Sequence, residues 1–187
     1  MYSSYRRKNS LRLRGYDYSR IGAYFVTMCT KDREPLFGTI KSGMMLLAKP
    51  GEIARDCWRQ IPECFQNIML DVFIVMPDHF HGIIVVANQS RLPEAFVPGG
   101  AISESPRTDL DDPLWRRRML LPKIVGRFKQ NSAKQINILR GTPGVPVWQR
   151  GYHDHIIRDA EALSRIRQYI AGNPQHRNSE QIFVAHQ

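Results

Sequence analysis

The stretch LDVFIVMPDHFHGIIVVA, residues 70–87, holds two apolar segments separated by one short polar turn. Leu70–Met76 and His79–Ala87 each have the length of a β-strand, and both are rich in valine and isoleucine. Pro77 and Asp78 leave room only for a tight turn between them. This stretch therefore predicts an antiparallel hairpin that lies inside a sheet.

Further elements are predicted on both sides of the hairpin. They are, in chain order, a strand at Ala23–Thr30, a strand near Met44–Leu47, a helix from Gly51 to about Gln60, a helix at Leu120–Arg140, an extended segment at Val147–Ile157 and a helix from the N-cap Asp159 to about Gly172. This order is typical of the α+β class. We expect a ferredoxin-like antiparallel β-sheet with helices packed on one face.

The length of the chain predicts its domain organisation. A chain of 187 residues is expected to form one domain with its own core. Residues 1–20 are predicted to be a basic N-terminal arm, residues 21–175 the domain, and residues 176–187 a C-terminal tail. A polar segment rich in proline and glycine, at about 88–115, is predicted to be a flexible insertion in the domain.

Composition argues against several kinds of protein. The chain has 3 cysteines, none in a Cys-x-x-Cys pair, which argues against a disulfide framework and a zinc ribbon. The apolar runs are far shorter than the roughly 20 residues of a membrane helix, and the N-terminus has no apolar signal segment. We therefore expect a cytoplasmic protein with no membrane partner.

The charge balance favours a polyanionic partner, of which nucleic acid is the commonest. Lys and Arg number 27 against 17 Asp and Glu, so the formal net charge is +10. The cations cluster in the tyrosine-containing arm and in an acid-free stretch between Asp112 and Asp154. The DNA-binding candidates in these clusters are Arg12, Arg14, Tyr16, Arg116, Arg117, Arg118, Lys123, Arg127, Lys134 and Arg150. A frayed terminus and a basic, solvated helix are the alternative interpretations.

Two histidine pairs have a spacing that lets both imidazoles face one metal ion. Side chains alternate along a strand, so His79 and His81 share a face, as do His153 and His155. We favour the first pair as metal ligands because it begins an apolar strand, whereas the second lies in a polar stretch typical of an edge or loop. Two polar residues on a solvent-exposed face would have the same spacing. His155 is expected to be a structural or phosphate-contacting histidine.

The predicted final helix carries a candidate nucleophile. Tyr169 and Asn173 are four residues apart and Arg165 lies one turn earlier, so the three share one side of the helix. Ile166 and Ile170 flank them and are expected to anchor the helix on the sheet. Tyr169 would then stand at the border of the buried surface, where its hydroxyl can reach a cleft. A half-buried packing tyrosine fits the same position.

Five blocks of the sequence resemble the REP-associated tyrosine transposases, single-copy bacterial relatives of the small HUH transposases of single-strand insertion sequences. The blocks are RLRGYDYSRIGAYFVTMCT (Arg12–Thr30), VMPDHFHGIIVV (Val75–Val86), IVGRFKQNSAKQIN (Ile124–Asn137), RGTPGVPVWQRGYHDHIIRD (Arg140–Asp159) and RIRQYIAGNP (Arg165–Pro174). Their order and spacing are far more specific than the His-x-His pattern alone. The segment from about 88 to 115 carries no matching motif.

The resemblance implies a set of site residues and a reaction. In that family two histidines around a hydrophobic residue bind a divalent ion, usually Mg²⁺ or Mn²⁺, and an amide completes the site; here these are His79, His81 and Asn173. The family's nucleophile corresponds to Tyr169, which would form a 5′-phosphotyrosine and release a 3′-OH. The expected partner is a REP-type hairpin with a single-stranded flank. We expect the protein to act near the nucleoid, as a monomer or a homodimer, with His155 and Arg165 among its DNA contacts.

Other activities fit the same sequence. A catalytically inactive hairpin DNA-binding protein would keep the fold and the charge, and a metal-dependent phosphodiesterase would use water in place of Tyr169. Charge alone does not distinguish DNA from RNA. Imidazole suits transition metals better than Mg²⁺, so the sequence leaves the choice of ion open.

Overall fold

The computed structural model describes residues 13, 16–87 and 118–174. The predicted insertion at 88–115, the tail at 176–187 and most of the arm lie outside these residues. Four predicted DNA-binding residues also lie outside them: Arg12, Arg14, Arg116 and Arg117.

Within the described residues, strands and helices follow one another much as the sequence predicts. The strands are β1 (Gly22–Cys29), β2 (Gly38–Lys41), β3 (Met44–Leu47), β4 (Ile68–Val75), β5 (His79–Val86) and β6 (His153–Ile157). The helices are α1 (Lys49–Arg59), the single turn α2 (Ile61–Cys64), α3 (Leu120–Arg140) and α4 (Ala160–Gly172). A 3₁₀ turn at Lys31–Arg33 follows β1.

Four strands form the main sheet in the order β4-β5-β1-β6, and each neighbouring pair is antiparallel. The hairpin predicted from residues 70–87 is β4 and β5, closed by a 2.8 Å hydrogen bond from Met76 N to His79 O. With the small β2–β3 ribbon set aside, the chain order strand-helix-strand-strand-helix-strand is that of a ferredoxin-like fold. The predicted α+β class is confirmed.

Helices cover both faces of the sheet, whereas the sequence analysis expected them on one. On the first face, α1 and α3 pack Trp58 and Phe128 against Phe80 of β5. On the second face, α4 packs Ile170 in one cluster with Ile83 of β5. The reason is that β5 is a nearly continuous apolar run, so both of its faces must be removed from water.

The strand near Met44–Leu47 is not part of the main sheet. It is β3, and it pairs with β2 in a separate two-stranded ribbon. Gly38 allows the close approach at the start of the ribbon, because an added Cβ would lie 2.1 Å from the carbonyl oxygen of Leu46. The sequence analysis did not predict β2, whose four residues lie in a stretch punctuated by proline and glycine.

The ends of the two long helices follow the sequence closely. Helix α3 ends at Gly141, whose φ of +64° lies in the left-handed region that favours glycine. Helix α4 begins after Asp159, whose Oδ1 accepts a 2.7 Å hydrogen bond from Ala162 N as an N-cap. In the part of the chain that the structure describes, no helix is long and apolar enough to span a bilayer.

Gly82 is the position of β5 at which a small addition should do most harm. An added Cβ would lie 2.5 Å from Cζ2 of Trp58, whose side chain is fully buried. We expect Gly82→Ala to lower the free energy of unfolding by about 2 kcal/mol, because the indole has no space into which it can move. Urea unfolding followed by circular dichroism measures this change.

Gly126→Ala in α3 is the matched control, since an added Cβ there meets nothing within 4 Å. Alanine is the better helix former, so this variant should gain up to about 1 kcal/mol. A Gly82→Ala protein as stable as the wild type would contradict the packing of Trp58 against β5.

Candidate active site

Strand β5 and helix α4 bring the predicted metal ligands and the predicted nucleophile together. The rings of His79 and His81 are 4.6 Å apart between centroids, at an angle of 71°. The ring of Tyr169 lies 5.5 Å from that of His81. Three residues from two distant parts of the sequence therefore form one cluster on the face that α4 covers.

His81 is held from the neighbouring strand β1. Its register partner there is Thr27, whose Oγ1 shares a 2.8 Å hydrogen bond with Nδ1 of the imidazole. Phe25 stacks on the same ring with centroids 5.3 Å apart. Burial keeps the pKa of His81 well below its ordinary value, and the charges of His79 and Arg33 act in the same direction. The imidazole is therefore neutral near pH 7, which is the form that binds a metal.

His79 is oriented by the carboxylate of the preceding residue. Its Nδ1 donates a 2.7 Å hydrogen bond to Oδ1 of Asp78. The backbone of Asp78 is fixed in turn, because its carbonyl oxygen accepts from both the N–H and the hydroxyl of Thr30 at 2.9 Å. The second carboxylate oxygen, Oδ2, lies 3.6 Å from Nη1 of Arg33.

The two imidazoles fit a divalent metal as a donor pair. A histidine that binds a metal through one ring nitrogen commonly hydrogen-bonds an oxygen through the other, as Nδ1 of His79 and Nδ1 of His81 both do. Within residues 16–87 and 118–174, no group of three or more His, Cys, Asp and Glu could hold an ion. Within that part of the chain, a further ligand would be of another kind, such as an amide, and a phosphate oxygen or water could complete the site.

Asn173, the predicted amide ligand, comes directly after α4 as its C-cap. Only 9% of its surface is exposed, and its backbone N–H donates to Ile170 O at 3.4 Å. The fold thus holds Asn173 one helical turn beyond Tyr169. Its service as a metal ligand stays a prediction.

Tyr169 stands at the border of the apolar contact between α4 and the sheet, as expected from the sequence. Its ring is partly buried in the cluster that contains Leu163 and Ile170. It also meets the ring of Phe25 nearly at right angles, with centroids 6.2 Å apart. These contacts set the direction of the phenol toward the histidine side of the sheet.

A carboxylate–guanidinium pair ties α4 to the edge of the sheet. Asp71 lies where the pairing of edge strand β4 shifts register, between Leu70 and Phe73. Its Oδ1 and Oδ2 accept from Nε of Arg167 at 3.2 and 3.0 Å, and Oδ2 also accepts from Nη2 at 2.6 Å. Because Arg167 and Tyr169 point to different sides of the helix, this clamp constrains the rotation of α4 about its axis.

The predicted DNA-binding residues that the structure describes lie on more than one face of the sheet. Lys123, Arg127 and Lys134 are exposed on α3, which packs on the face of the sheet opposite to Tyr169. His155 lies across from Phe25 in the β1–β6 pairing, so it shares the face of Tyr169. Burial, followed by the charge of Arg158, lowers the pKa of His155.

The other described DNA-binding candidates vary in their surroundings. Arg118 and Arg150 are exposed. Arg165 is exposed on α4 and forms an ion pair with Glu161 one turn earlier. Tyr16 is partly buried, with its ring edge-on to Tyr18 at 5.1 Å.

Lys129, a cation of the basic stretch, forms hydrogen bonds within the fold. Nζ of Lys129 donates to the carbonyl oxygens of Gln149 and Gly151, each at 2.6 Å. Burial lowers the pKa of Lys129 to about 8. These bonds hold the segment that leads into β6.

Several residues of the cluster were missed in the sequence analysis. Asp78 had a signal, since it directly precedes His79 and is a residue type that commonly supports metal-bound histidines. Thr27 and Phe25 had none, because they reach His81 only through the β1–β5 register. Arg33 likewise becomes a neighbour of the site only in the folded chain.

Comparison with known proteins finds a bacterial relative that matches nearly the whole chain. An uncharacterised protein of Haemophilus influenzae is 33% identical over 186 residues, which cover 95% of this chain and 93% of that protein. The chain belongs to the family of that Haemophilus influenzae protein. No protein-family model matches the sequence.

Two solved structures are similar to the chain at low identity. One is a REP-associated tyrosine transposase bound to a REP hairpin, with 18% identity, a TM-score of 0.49 and coverage of 89% of this chain and 73% of that one. The other is a proposed transposase of Deinococcus radiodurans, with 19% identity, a TM-score of 0.45 and coverage of 86% and 95%. At TM-scores below 0.5, neither likeness bears on the activity of this chain.

The clamp between Asp71 and Arg167 should be measurable as helix docking. We expect Arg167→Ala and Asp71→Ala each to lower the free energy of unfolding by about 1 kcal/mol, because a bidentate pair exceeds the usual worth of an exposed ion pair. Amide hydrogen exchange should accelerate in α4 more than in α3. The double variant that swaps the two charges, Asp71→Arg with Arg167→Asp, should recover part of the lost free energy of unfolding.

Arg165→Ala is the control on the same helix, since its partner Glu161 belongs to α4 as well. Its effect on stability should stay within about 0.5 kcal/mol. Equal exchange rates in α4 for the Arg165 and Arg167 variants would count against the clamp.

Proposed function

We propose that this chain is a REP-associated tyrosine transposase, which cuts and rejoins single-stranded DNA at hairpins through Tyr169 with the help of a divalent metal. The observation that carries the proposal is the 5.5 Å approach of the Tyr169 ring to the ring of His81. A phosphate bound at the histidine pair would lie beside the phenol. The sequence blocks from Arg12 to Pro174 support the same assignment.

Tyr169 is the proposed nucleophile of the reaction. Its phenol oxygen loses a proton and bonds to phosphorus, the bond from phosphorus to the 3′ oxygen breaks, and that oxygen takes up a proton to leave as a 3′-OH. The 5′ side of the cut stays attached as a phosphotyrosine ester. Phenolate leaves more readily than an alkoxide, so the 3′-OH of another strand can reverse the step and rejoin DNA.

His79, His81 and Asn173 are the proposed ligands of the ion, Mg²⁺ or Mn²⁺. When bound, it would supply positive charge that offsets the negative charge growing on the phosphate in the transition state. The chain supports the two imidazoles beforehand, because Asp78 orients His79 and Thr27 orients His81. Ligands held in this way need little rearrangement when the ion binds.

The DNA contacts are proposed to divide between the two faces of the sheet. The single-stranded flank would reach His155 and Arg165, which lie on the side of Tyr169. The phosphates of the paired stem would meet the exposed cations of α3, which follow one another along the helix at Lys123, Arg127 and Lys134. The further proposed contacts are Arg12, Arg14, Tyr16, Arg116, Arg117, Arg118 and Arg150.

The histidine pair and Tyr169 come together within one chain, which favours a monomer as the active form over a homodimer with exchanged helices. Mixing His81→Ala with Tyr169→Phe tests this point. Restored activity in the mixture would indicate that one chain can complete the site of another.

The central test is formation of a covalent protein–DNA adduct. A labelled hairpin oligonucleotide with a single-stranded flank is incubated with the protein and Mn²⁺, and the adduct is resolved on a denaturing gel. We expect an adduct with the wild type, and a loss of at least about 1000-fold with Tyr169→Phe, because no other group replaces the phenol. His81→Ala and excess EDTA should each abolish it. Tyr152→Phe is the matched control, since Tyr152 packs on the opposite face of the sheet.

The alternative functions give different products in the same assay. Cut DNA without an adduct would indicate a phosphodiesterase that uses water, and tight binding without cutting would indicate an inactive hairpin-binding protein. An adduct that survives Tyr169→Phe would rule out the proposed nucleophile. A hairpin of RNA, run in parallel, decides between the two nucleic acids.

Removal of the α3 cations should weaken hairpin binding and leave the rate of adduct formation nearly unchanged. We expect the triple variant Lys123→Gln/Arg127→Gln/Lys134→Gln to make hairpin affinity less dependent on salt. The negative slope of log K against log salt should become shallower by roughly 2 to 3. The rate of adduct formation at saturating DNA should stay within about 3-fold of the wild type, because α3 is on the other face from Tyr169. Fluorescence anisotropy at several salt concentrations measures the slope.

The control carries the same change in charge on β2 and α1, as Lys41→Gln/Lys49→Gln/Arg55→Gln. Its salt slope should match that of the wild type. Equal slopes for the two triple variants would show that α3 is not a preferred DNA surface.

A further inference from the structure

Arg33 lies near the histidine pair, and the sequence analysis gave this arginine no function. It lies in the 3₁₀ turn that follows β1, and its Nη1 is 3.6 Å from Oδ2 of Asp78. The other oxygen of that carboxylate accepts from Nδ1 of His79. Its positive charge also reaches His81, where it helps to lower the imidazole pKa. The guanidinium therefore lies beside the carboxylate that orients His79, and its charge acts on His81.

The turn that carries Arg33 has an unusual backbone. Asp32 and Arg33 have φ of 54° and 57°, in the left-handed region that costs residues other than glycine roughly 1 kcal/mol each. Hydrogen bonds from Arg33 N to Thr30 O at 3.2 Å and from Glu34 N to Lys31 O at 3.1 Å close the turn. Two consecutive residues of this kind persist only where the surrounding structure enforces them, and they are frequent at functional sites.

Thr30 and Lys31 anchor the turn to other parts of the site. The Thr30 side chain is fully buried, and its single hydroxyl hydrogen is shared between the carbonyl oxygens of Glu34 at 2.8 Å and Asp78 at 2.9 Å. The N–H of Lys31 donates to the carbonyl oxygen of Val147 at 2.8 Å. The guanidinium of Arg33 is thus presented by a backbone that is joined both to the β4–β5 turn and to the segment before β6.

The contact with Asp78 leaves donor capacity on the guanidinium. The Arg33 side chain is 46% exposed while that of Asp78 is 17% exposed. At 3.6 Å, the contact between them is longer than an ordinary hydrogen bond. A guanidinium has five N–H donors in a planar fork, and this geometry matches the oxygens of a phosphate group.

We propose that Arg33 binds a non-bridging oxygen of the scissile phosphate and is a second catalytic residue of the reaction assigned to Tyr169. The inference rests on the proposed function. A phosphate at the histidine pair would have Tyr169 of α4 near it and Arg33 reaching it from the turn after β1. A guanidinium carried there on a hydrogen-bonded turn would stabilise the added negative charge of the transition state. The carboxylate of Asp78 supports both groups, because it orients His79 and attracts Arg33.

The rate of adduct formation in single-turnover experiments with saturating hairpin DNA and Mn²⁺ tests the catalytic part. Arg33→Gln should be slower than the wild type by about 100-fold, the usual effect of losing one donor to the transition state. Arg33→Lys should recover part of the rate, because it keeps the charge but not the fork. Arg55→Gln is the matched control, since Arg55 also lies beside an aspartate, Asp56, but on helix α1.

Binding without metal tests the phosphate contact separately. In a Tyr169→Phe background with EDTA, Arg33→Gln should weaken binding of the natural strand about 10-fold, the usual worth of a charged hydrogen bond. A strand with a neutral methylphosphonate at the cut position should bind both proteins equally. A similar loss on both strands, or an adduct rate within about 3-fold of the wild type, would overturn the proposal. A wild type that forms no adduct would refute the function of Tyr169, and the binding comparison would still decide whether Arg33 holds the phosphate.

Discussion

The packing of α4 on the face of β5 is the contact on which the candidate site depends. Leu163 and Ile170 are buried against that face, and they leave Tyr169 at its border, beside His81. Apolar packing alone would tolerate some rotation of a helix about its axis. The bidentate pair between Asp71 and Arg167 adds a directional restraint at the edge strand. Tyr169 therefore faces the histidines because an apolar contact and a polar clamp act on one helix from two sides.

A second constraint is the alternation of side chains along β5. Phe80 points into an aromatic core with Trp58 and Phe128, whereas His79 and His81 point to the opposite face. The same strand thus provides the centre of the core and the centre of the site. Fully packed aromatic rings on one side keep the imidazoles on the other side at fixed positions, because a close-packed interior leaves little room for movement. The packing of Phe80 in the core therefore restricts the movement of His79 and His81.

The polar groups around the imidazoles orient both rings before a metal ion would bind, as the proposed chemistry requires. Thr27 and Asp78 hold the rings, and the buried position of His81 keeps that ring neutral, so His81 could bind an ion without losing a proton. The exposed cations of α3 lie on the face opposite Tyr169. Under the proposed function, this arrangement would separate the attraction of DNA from the reaction, so that binding strength and catalysis could change independently.

The sequence by itself determined the local features: the β4–β5 hairpin, the ends of α3 and α4, and the common face of His79 and His81. Each of these depends on residues close together in the chain, whose spacing and turn chemistry are legible without a fold. The placement of α4 opposite α1 and α3, and the separate β2–β3 ribbon, were decided by how apolar faces cover one another. Thr27 and Arg33 became part of the site through strand register and loop anchoring. Those contacts join segments far apart in sequence, so only the tertiary structure could select them from the many pairings that the same residues allow.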